Sequence, residues 1–323
     1  MNEDVVDVVV VGGGAAGLSA AVVLGRARRS VVVVDAGAPR NAPAAGVHGF
    51  LTRDGMSPAE LVATGREEVV RYGGEVVSCV ATGARRVDGG FAVDLANGDA
   101  VLGRRLVVAT GLVDELPDVP GLAQRWGRDV VHCPYCHGWE IRDRAIGVLG
   151  TGPMAAHSAL LFRQWSDDVV LFRGAASELT AEQAEQLAAR GITVVEDEVA
   201  GLEVHDDRLT GVRLRSGEVV ARQALAVTSA LRSQADVLRA LGLETAPLEI
   251  MGHRFGDHAE ADPTGATSIP GVWVAGNVTD PLAQVVMAAA AGVKAAAAVN
   301  ADLIAEETAA AVAELRSRAA VAR

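Results

Sequence analysis

Short apolar runs, glycine-rich turns and Ala/Leu-rich segments alternate along the chain. Val8-Val9-Val10-Val11 is continuously apolar and stops at Gly12, the pattern of a strand buried on both faces of a parallel sheet. The Ala- and Leu-rich segment after Gly17 predicts a helix, and residues 31–34, ending at Asp35, predict the returning strand of a βαβ unit. Arg105-Leu106-Val107-Val108 is another short strand, stopped by Ala109-Thr110-Gly111. A second cycle starts at Ala145-Ile146-Gly147-Val148-Leu149, turns through Gly150 to Ala155 and reaches Val169-Val170-Leu171-Phe172. Strand-like runs return between residues 219 and 228 and again at 269–277, followed by a long Ala-rich helical segment. Residues 309–322 predict an amphipathic terminal helix with no chemistry of its own.

This alternation predicts an α/β fold of two Rossmann-like, three-layer ββα nucleotide-binding domains, the second inserted in the first. The expected boundaries are 1–116 plus 248–323 for the discontinuous outer domain and 117–247 for the insert. A length of 323 residues agrees with two domains. Half the residues are hydrophobic but only 3% are aromatic, which suits Val-rich strands packed closely against Ala- and Gly-rich helices.

Charge narrows the partners. With 29 Lys and Arg against 41 Asp and Glu the formal charge is −12, and no basic run interrupts the acidic balance. Nucleic acid and anionic membrane are therefore not expected partners, and a small molecule or small protein is. The first strand follows an acidic start, without a basic leader or a small-residue cleavage site. The apolar stretch 285–293 falls short of the roughly 20 residues a membrane span needs. The cysteines Cys79, Cys133 and Cys136 are too few for a secreted disulfide scaffold. These features place the expected protein in the cytoplasm.

Gly12, Gly14, Ala15 and Gly17 lie directly between a strand and a helix, where glycine allows a tight turn and close approach of backbone to a pyrophosphate. Asp35 ends the next strand, where an acid accepts hydrogen bonds from ribose hydroxyls. The turn alone fits FAD and NAD equally.

Cys133-Pro134-Tyr135-Cys136 brings two thiols within reach of a reducible disulfide. A short helix starting near Cys133 would favour its thiolate, and the flanking His132 and His137 are of the type that moves protons near neutrality. A structural disulfide, half of a zinc site with His253 and His258, and a fortuitous pair are the competing readings. No metal is expected, and Cys79 is read as packing.

In order and content these motifs resemble the low-molecular-weight thioredoxin reductase family over essentially the whole chain. The matching residues are Gly12 to Gly17, Ala109-Thr110-Gly111, Cys133 to Cys136, Gly150 to Ala155 and Ala275-Gly276-Asn277. His137 replaces the family's Asp after the second cysteine, Asn277 replaces its Asp, and Ala283 replaces the Arg before Gln284. Cys-Pro-Tyr-Cys-His-Gly-Trp-Glu is closer to the branch of gliotoxin- and holomycin-type FAD-dependent dithiol oxidases, which make disulfides in small metabolites and reduce oxygen. The resemblance implies FAD held by Asp35, Ala36, Arg40, Asn41, His48, Thr110, Gly111, Gly276, Asn277, Gln284 and Val285. It also implies Cys136 beside the flavin, Cys133 meeting the substrate, His137 as the nearest proton acceptor, and a homodimer.

Gly150, Gly152 and Ala155 repeat the dinucleotide pattern, so NADPH is one reading of that turn and a relic of the fold the other. NADPH-dependent relatives carry a His-Arg-Arg cluster after the following strand, whereas this chain has Arg173 alone and no neighbouring acid for NADH. The expected activity is that of a dithiol oxidase acting on a small-molecule dithiol, with O2 as acceptor and H2O2 as product. The alternative is an NADPH-dependent reductase of a thioredoxin-like protein, and a flavin-bearing redox sensor is the third reading.

Overall fold

The computed structural model describes residues 5–174, 178–250 and 252–321. Its chain begins with β1 (Val6–Val11), α1 (Ala15–Arg26), β2 (Val31–Asp35), α2 (Pro58–Arg71) and β3 (Glu75–Ser78), with the three strands parallel. β4 (Ala81–Val87), β5 (Gly90–Leu95) and β6 (Ala100–Val108) form an antiparallel meander. β6 is long enough to serve twice, pairing with β5 through its first half and with β1 in parallel through its second.

β7 (Leu112–Glu115) leads out of this domain. The insert contains α3 (Leu122–Arg125), β8 (Val130–Val131), α4 (Pro134–His137), β9 (Ile146–Leu149), α5 (Ala155–Phe162) and β10 (Val169–Phe172). It continues through α6 (Ala181–Ala189), β11 (Thr193–Val195), β12 (Val199–His205), β13 (Arg208–Leu214), β14 (Val219–Val220) and β15 (Ala224–Val227). Its parallel sheet has the order β11-β10-β9-β15-β8, and β12-β13-β14 forms a separate antiparallel sheet.

β16 (Ala230–Ser233) returns antiparallel to β7, so two adjacent strands connect the domains. α7 (Asp236–Ala240), β17 (Ala246–Ile250), β18 (His253–His258), β19 (Val272–Val274) and α8 (Val285–Val321) complete the chain. β19 joins the open edge of β6 and finishes the parallel order β3-β2-β1-β6-β19. The expected return at residue 248 is too late: Ala235, Val237, Leu238 and Leu243 are buried in the same core as Val9, Val11, Leu106 and Val274. The outward and returning strands must pair, which fixes the crossing near 230 whatever the composition beyond it.

Alternation of side chains across the first sheet supplies two cores. Val8, Val10 and Val33 pack against α1 and α8, while Val9, Val11 and Val108 pack against the meander side. The terminal segment is not a separate helix but the far half of α8. α8 is long and apolar enough, by length and composition, to cross a membrane, which the stretch 285–293 alone does not show. Its first half is nevertheless buried on α1 through Ala288, Ala295, Val299 and Leu303. Beyond Leu303 it is exposed, and Arg29 and Arg104 engage Glu307 there.

Candidate active site

The first glycine turn is built as a cradle. Gly12 takes φ +104° between β1 and α1, a conformation that favours glycine. A Cβ on Gly17 would lie 1.8 Å from the Gly12 carbonyl oxygen, so no side chain fits there. α1 starts directly after Gly14, its N-terminus has no side-chain cap, and the space around Gly14 is open. Unsatisfied N–H groups at the positive end of a helix suit a pyrophosphate. The Gly13 N–H donates to Asp35 at 3.0 Å, and Arg66 holds the other carboxylate oxygen, so the acid is fixed facing the turn. This set fits the dinucleotide half of FAD.

The residues assigned to FAD by resemblance come from four separated segments. Ala36 is exposed just past β2, and Asn41 lies half-buried in the loop that follows. Thr110 donates its hydroxyl to the Gln234 carbonyl at 2.5 Å, and the Gln234 side chain donates back to the Thr110 carbonyl at 3.0 Å. Gly111 accepts from the Gln234 N–H, which ties the end of the first sheet to the returning strand. Gly276 is buried beside Ala16 of α1. The Asn277 amide donates to the carbonyls of Asp280, Pro281 and Ala283, tying down the loop that delivers Gln284 and Val285 to the start of α8. Aspartate could not make those donations.

The cysteine pair is the chemical centre. Cys133 is the N-cap of α4, with Pro134 at the first helical position. Both thiols are free and half-buried. The Cys136 thiol donates to Cys133, and with backbone N–H groups of Cys136 and Tyr135 it holds Cys133 down at about 7. The same contact pushes Cys136 up, so the pair as a whole carries one thiolate. Trp165 packs on Gly138 and meets the Tyr135 ring edge-on at 5.8 Å, bracing the turn from the end of α5.

The two histidines differ. His132 is held at Nδ1 by the Val227 carbonyl at 3.2 Å, and burial lowers its pKa. His137 is also lowered by burial, yet both its ring nitrogens are buried without a hydrogen-bond partner among the described residues. A buried imidazole in that state is costly unless a proton donor or acceptor arrives.

Residues of the first domain reach over to this centre. Arg40 binds Asp114 of β7 through two hydrogen bonds of 2.7 Å, and its charge favours the anionic form of both cysteines. Burial opposes charge on Asp114, but Arg40 and Ser229 outweigh it and keep the carboxyl below its ordinary range. His48 lies between two acids, with Nδ1 3.5 Å from Asp54 and Nε2 3.4 Å from Glu140 of the insert. Sequence reasoning missed Asp114, Gln234, Trp165 and Glu140 as site residues. Glu140 alone left a trace, at the end of the Cys-Pro-Tyr-Cys-His-Gly-Trp-Glu run.

The second turn is different. α5 does not begin until Ala155, after Pro153, which has no N–H, and Met154. Gly150 is tight against Phe172 and Arg173, whereas Gly152 faces open space. Arg173 is engaged by Glu196, just past β11, and Glu178 adds a further negative charge. The sequence shows no acid next to Arg173, but the fold brings these two to it. Among the described residues no cluster of His, Cys, Asp or Glu is arranged to hold a metal.

The sequence profile of pyridine nucleotide-disulphide oxidoreductases matches residues 6–295. Thioredoxin reductase tcpT of Claviceps purpurea is 33% identical over 292 residues, covering 85% of this chain and 87% of that protein. Thioredoxin reductase sirT of Leptosphaeria maculans is 32% identical over 316 residues, covering 91% and 93%. Among solved structures, HlmI superposes with a TM-score of 0.91 at 49% identity over 99% of both chains. An oxidoreductase from Agrobacterium tumefaciens superposes with a TM-score of 0.86 at 36% identity, covering 93% of this chain and 99% of that one.

Proposed function

The chain belongs to the pyridine nucleotide-disulphide oxidoreductase family, and from that membership we propose that it is an FAD-dependent dithiol oxidase. Its substrate is a small-molecule dithiol, its electron acceptor O2 and its products a disulfide and H2O2. Bound FAD supplies the two-electron relay between the cysteine pair and oxygen. The protein's own part is exchange. With Cys133 and Cys136 oxidised, a substrate thiolate attacks Cys133 and Cys136 departs. The second substrate sulfur then closes the product disulfide and releases Cys133, which its neighbours hold as a thiolate. His137, next to Cys136 and with no hydrogen-bond partner for its ring among the described residues, is the base that takes a substrate proton.

The observation that carries the direction of electron flow is the pairing of Arg173 with Glu196. A 2′-phosphate needs that cation and would meet acidic charge instead. The retained Gly150-to-Ala155 turn and the names of the curated relatives favour a second reading, an NADPH-dependent disulfide reductase with a thioredoxin-like partner. Aerobic incubation with dithiothreitol and no nicotinamide separates them. We expect one H2O2 per disulfide formed, and none from Cys136→Ser. Peroxide-free protein that oxidises NADPH in the presence of a disulfide acceptor would overturn the oxidase reading.

A further inference from the structure

Exchange at the cysteine pair leaves a proton to dispose of. A dithiol and the oxidised pair yield the substrate disulfide, a Cys133 thiolate, a Cys136 thiol and one proton. One S–S bond breaks and one forms, two electrons pass to the pair, and one of the two substrate protons remains on Cys136. The other must leave a half-buried site.

We propose that Glu140 and His48 conduct this proton from His137 to solvent at Asp54, which makes them positioning residues for the exchange. The inference rests on the thiol-exchange reading above and not on the choice of electron acceptor. His137 follows Cys136 in α4 and has both ring nitrogens buried with no hydrogen-bond partner among the described residues. The charged groups bearing on it are Glu140, His48 and His132. His132 does not lead outward, since its Nδ1 is taken by the Val227 carbonyl and its charged neighbours are Asp114 and Arg40, themselves paired. Glu140 does lead outward. Its Oε1 lies 3.4 Å from His48 Nε2, and His48 Nδ1 lies 3.5 Å from Asp54 Oδ1. The path ends on its most exposed member, Asp54 at 68%, against 39% for the Glu140 side chain and 23% for His48. A water or a small rotation closes contacts of this length. The path also crosses between domains, so it is complete only while the insert holds its cysteines against the first domain.

The test uses the flavin-bearing protein with the pair oxidised and air excluded, and the flavin-to-protein absorbance ratio of each variant reports separately any part His48 plays in binding FAD. The rate of reduction by dithiothreitol is followed by quenching with a maleimide in weak buffer near neutrality, with and without added imidazole. Wild type should be fast and indifferent to imidazole. Glu140→Gln and His48→Phe should be slower by on the order of tenfold or more. Imidazole should restore both, and Glu140→Asp should recover part of the rate unaided. Unchanged rates in the variants, or slowed rates that imidazole leaves alone, would overturn the conduit while leaving the exchange intact. A wild-type disulfide that dithiothreitol cannot reduce would overturn the exchange reading and the conduit with it.

Discussion

The two glycine-rich turns share a spacing and a position between strand and helix, yet their surroundings differ. At Gly12 to Gly17 the helix starts beside the second glycine, its N-terminus is uncapped, and Asp35 is oriented by a backbone donor. At Gly150 to Ala155 the helix likewise has no side-chain cap, but proline removes a donor, the helix starts later, and Arg173 is engaged by Glu196. The spacing of glycines records the fold. Free N–H donors and an available counter-charge decide whether that fold binds a cofactor.

Substitutions break this contrast in decreasing order of effect. Gly17→Val places atoms on the Gly12 carbonyl, an overlap costing on the order of 3 kcal/mol, and should weaken FAD retention about 100-fold. The flavin-to-protein absorbance ratio after gel filtration checks it. Asn277→Asp removes a donor from three carbonyls and sets a carboxylate against them, for about 2 kcal/mol of lost stability. Thermal unfolding should show it, and flavin retention should fall with it.

Cys136→Ala acts on the chemistry and not on the turns. Without the Cys136 donor the Cys133 pKa rises from about 7 toward the ordinary thiol range, so less thiolate is present at neutral pH. Alkylation by iodoacetamide should then be roughly tenfold slower, recovering as pH rises. The wild-type rate should fall as pH drops through about 7, because the thiolate is the nucleophile. The smallest effects belong to the second turn. Gly152→Ala faces open space and Arg173→Ala lies outside the dithiol path, so dithiol-driven turnover should be unchanged in both. A large loss in either would make that turn functional and erase the contrast.

What could be read in advance was local. The valine strands, the first glycine turn with Asp35, and Cys133 at the start of a short helix follow from patterns within a few residues. Proline after Cys133 and glycine at 12 fix backbone geometry on their own. What could not be read depends on chain-distant partners. Arg40 meets Asp114, Thr110 meets Gln234, His48 meets Glu140 and Arg173 meets Glu196, each joining segments that only tertiary folding brings together. The insert boundary failed for the same reason, since strand pairing and core sharing set it rather than composition.

The most direct test of the central claim, that electrons enter from a dithiol and not from nicotinamide, is to mix the yellow protein anaerobically with dithiothreitol and separately with NADPH. Dithiothreitol should bleach the flavin rapidly, colour should return with H2O2 on admission of air, and NADPH should cause no bleaching. Bleaching by NADPH at a comparable rate would contradict that claim and make the turn at Gly150 a working nucleotide site.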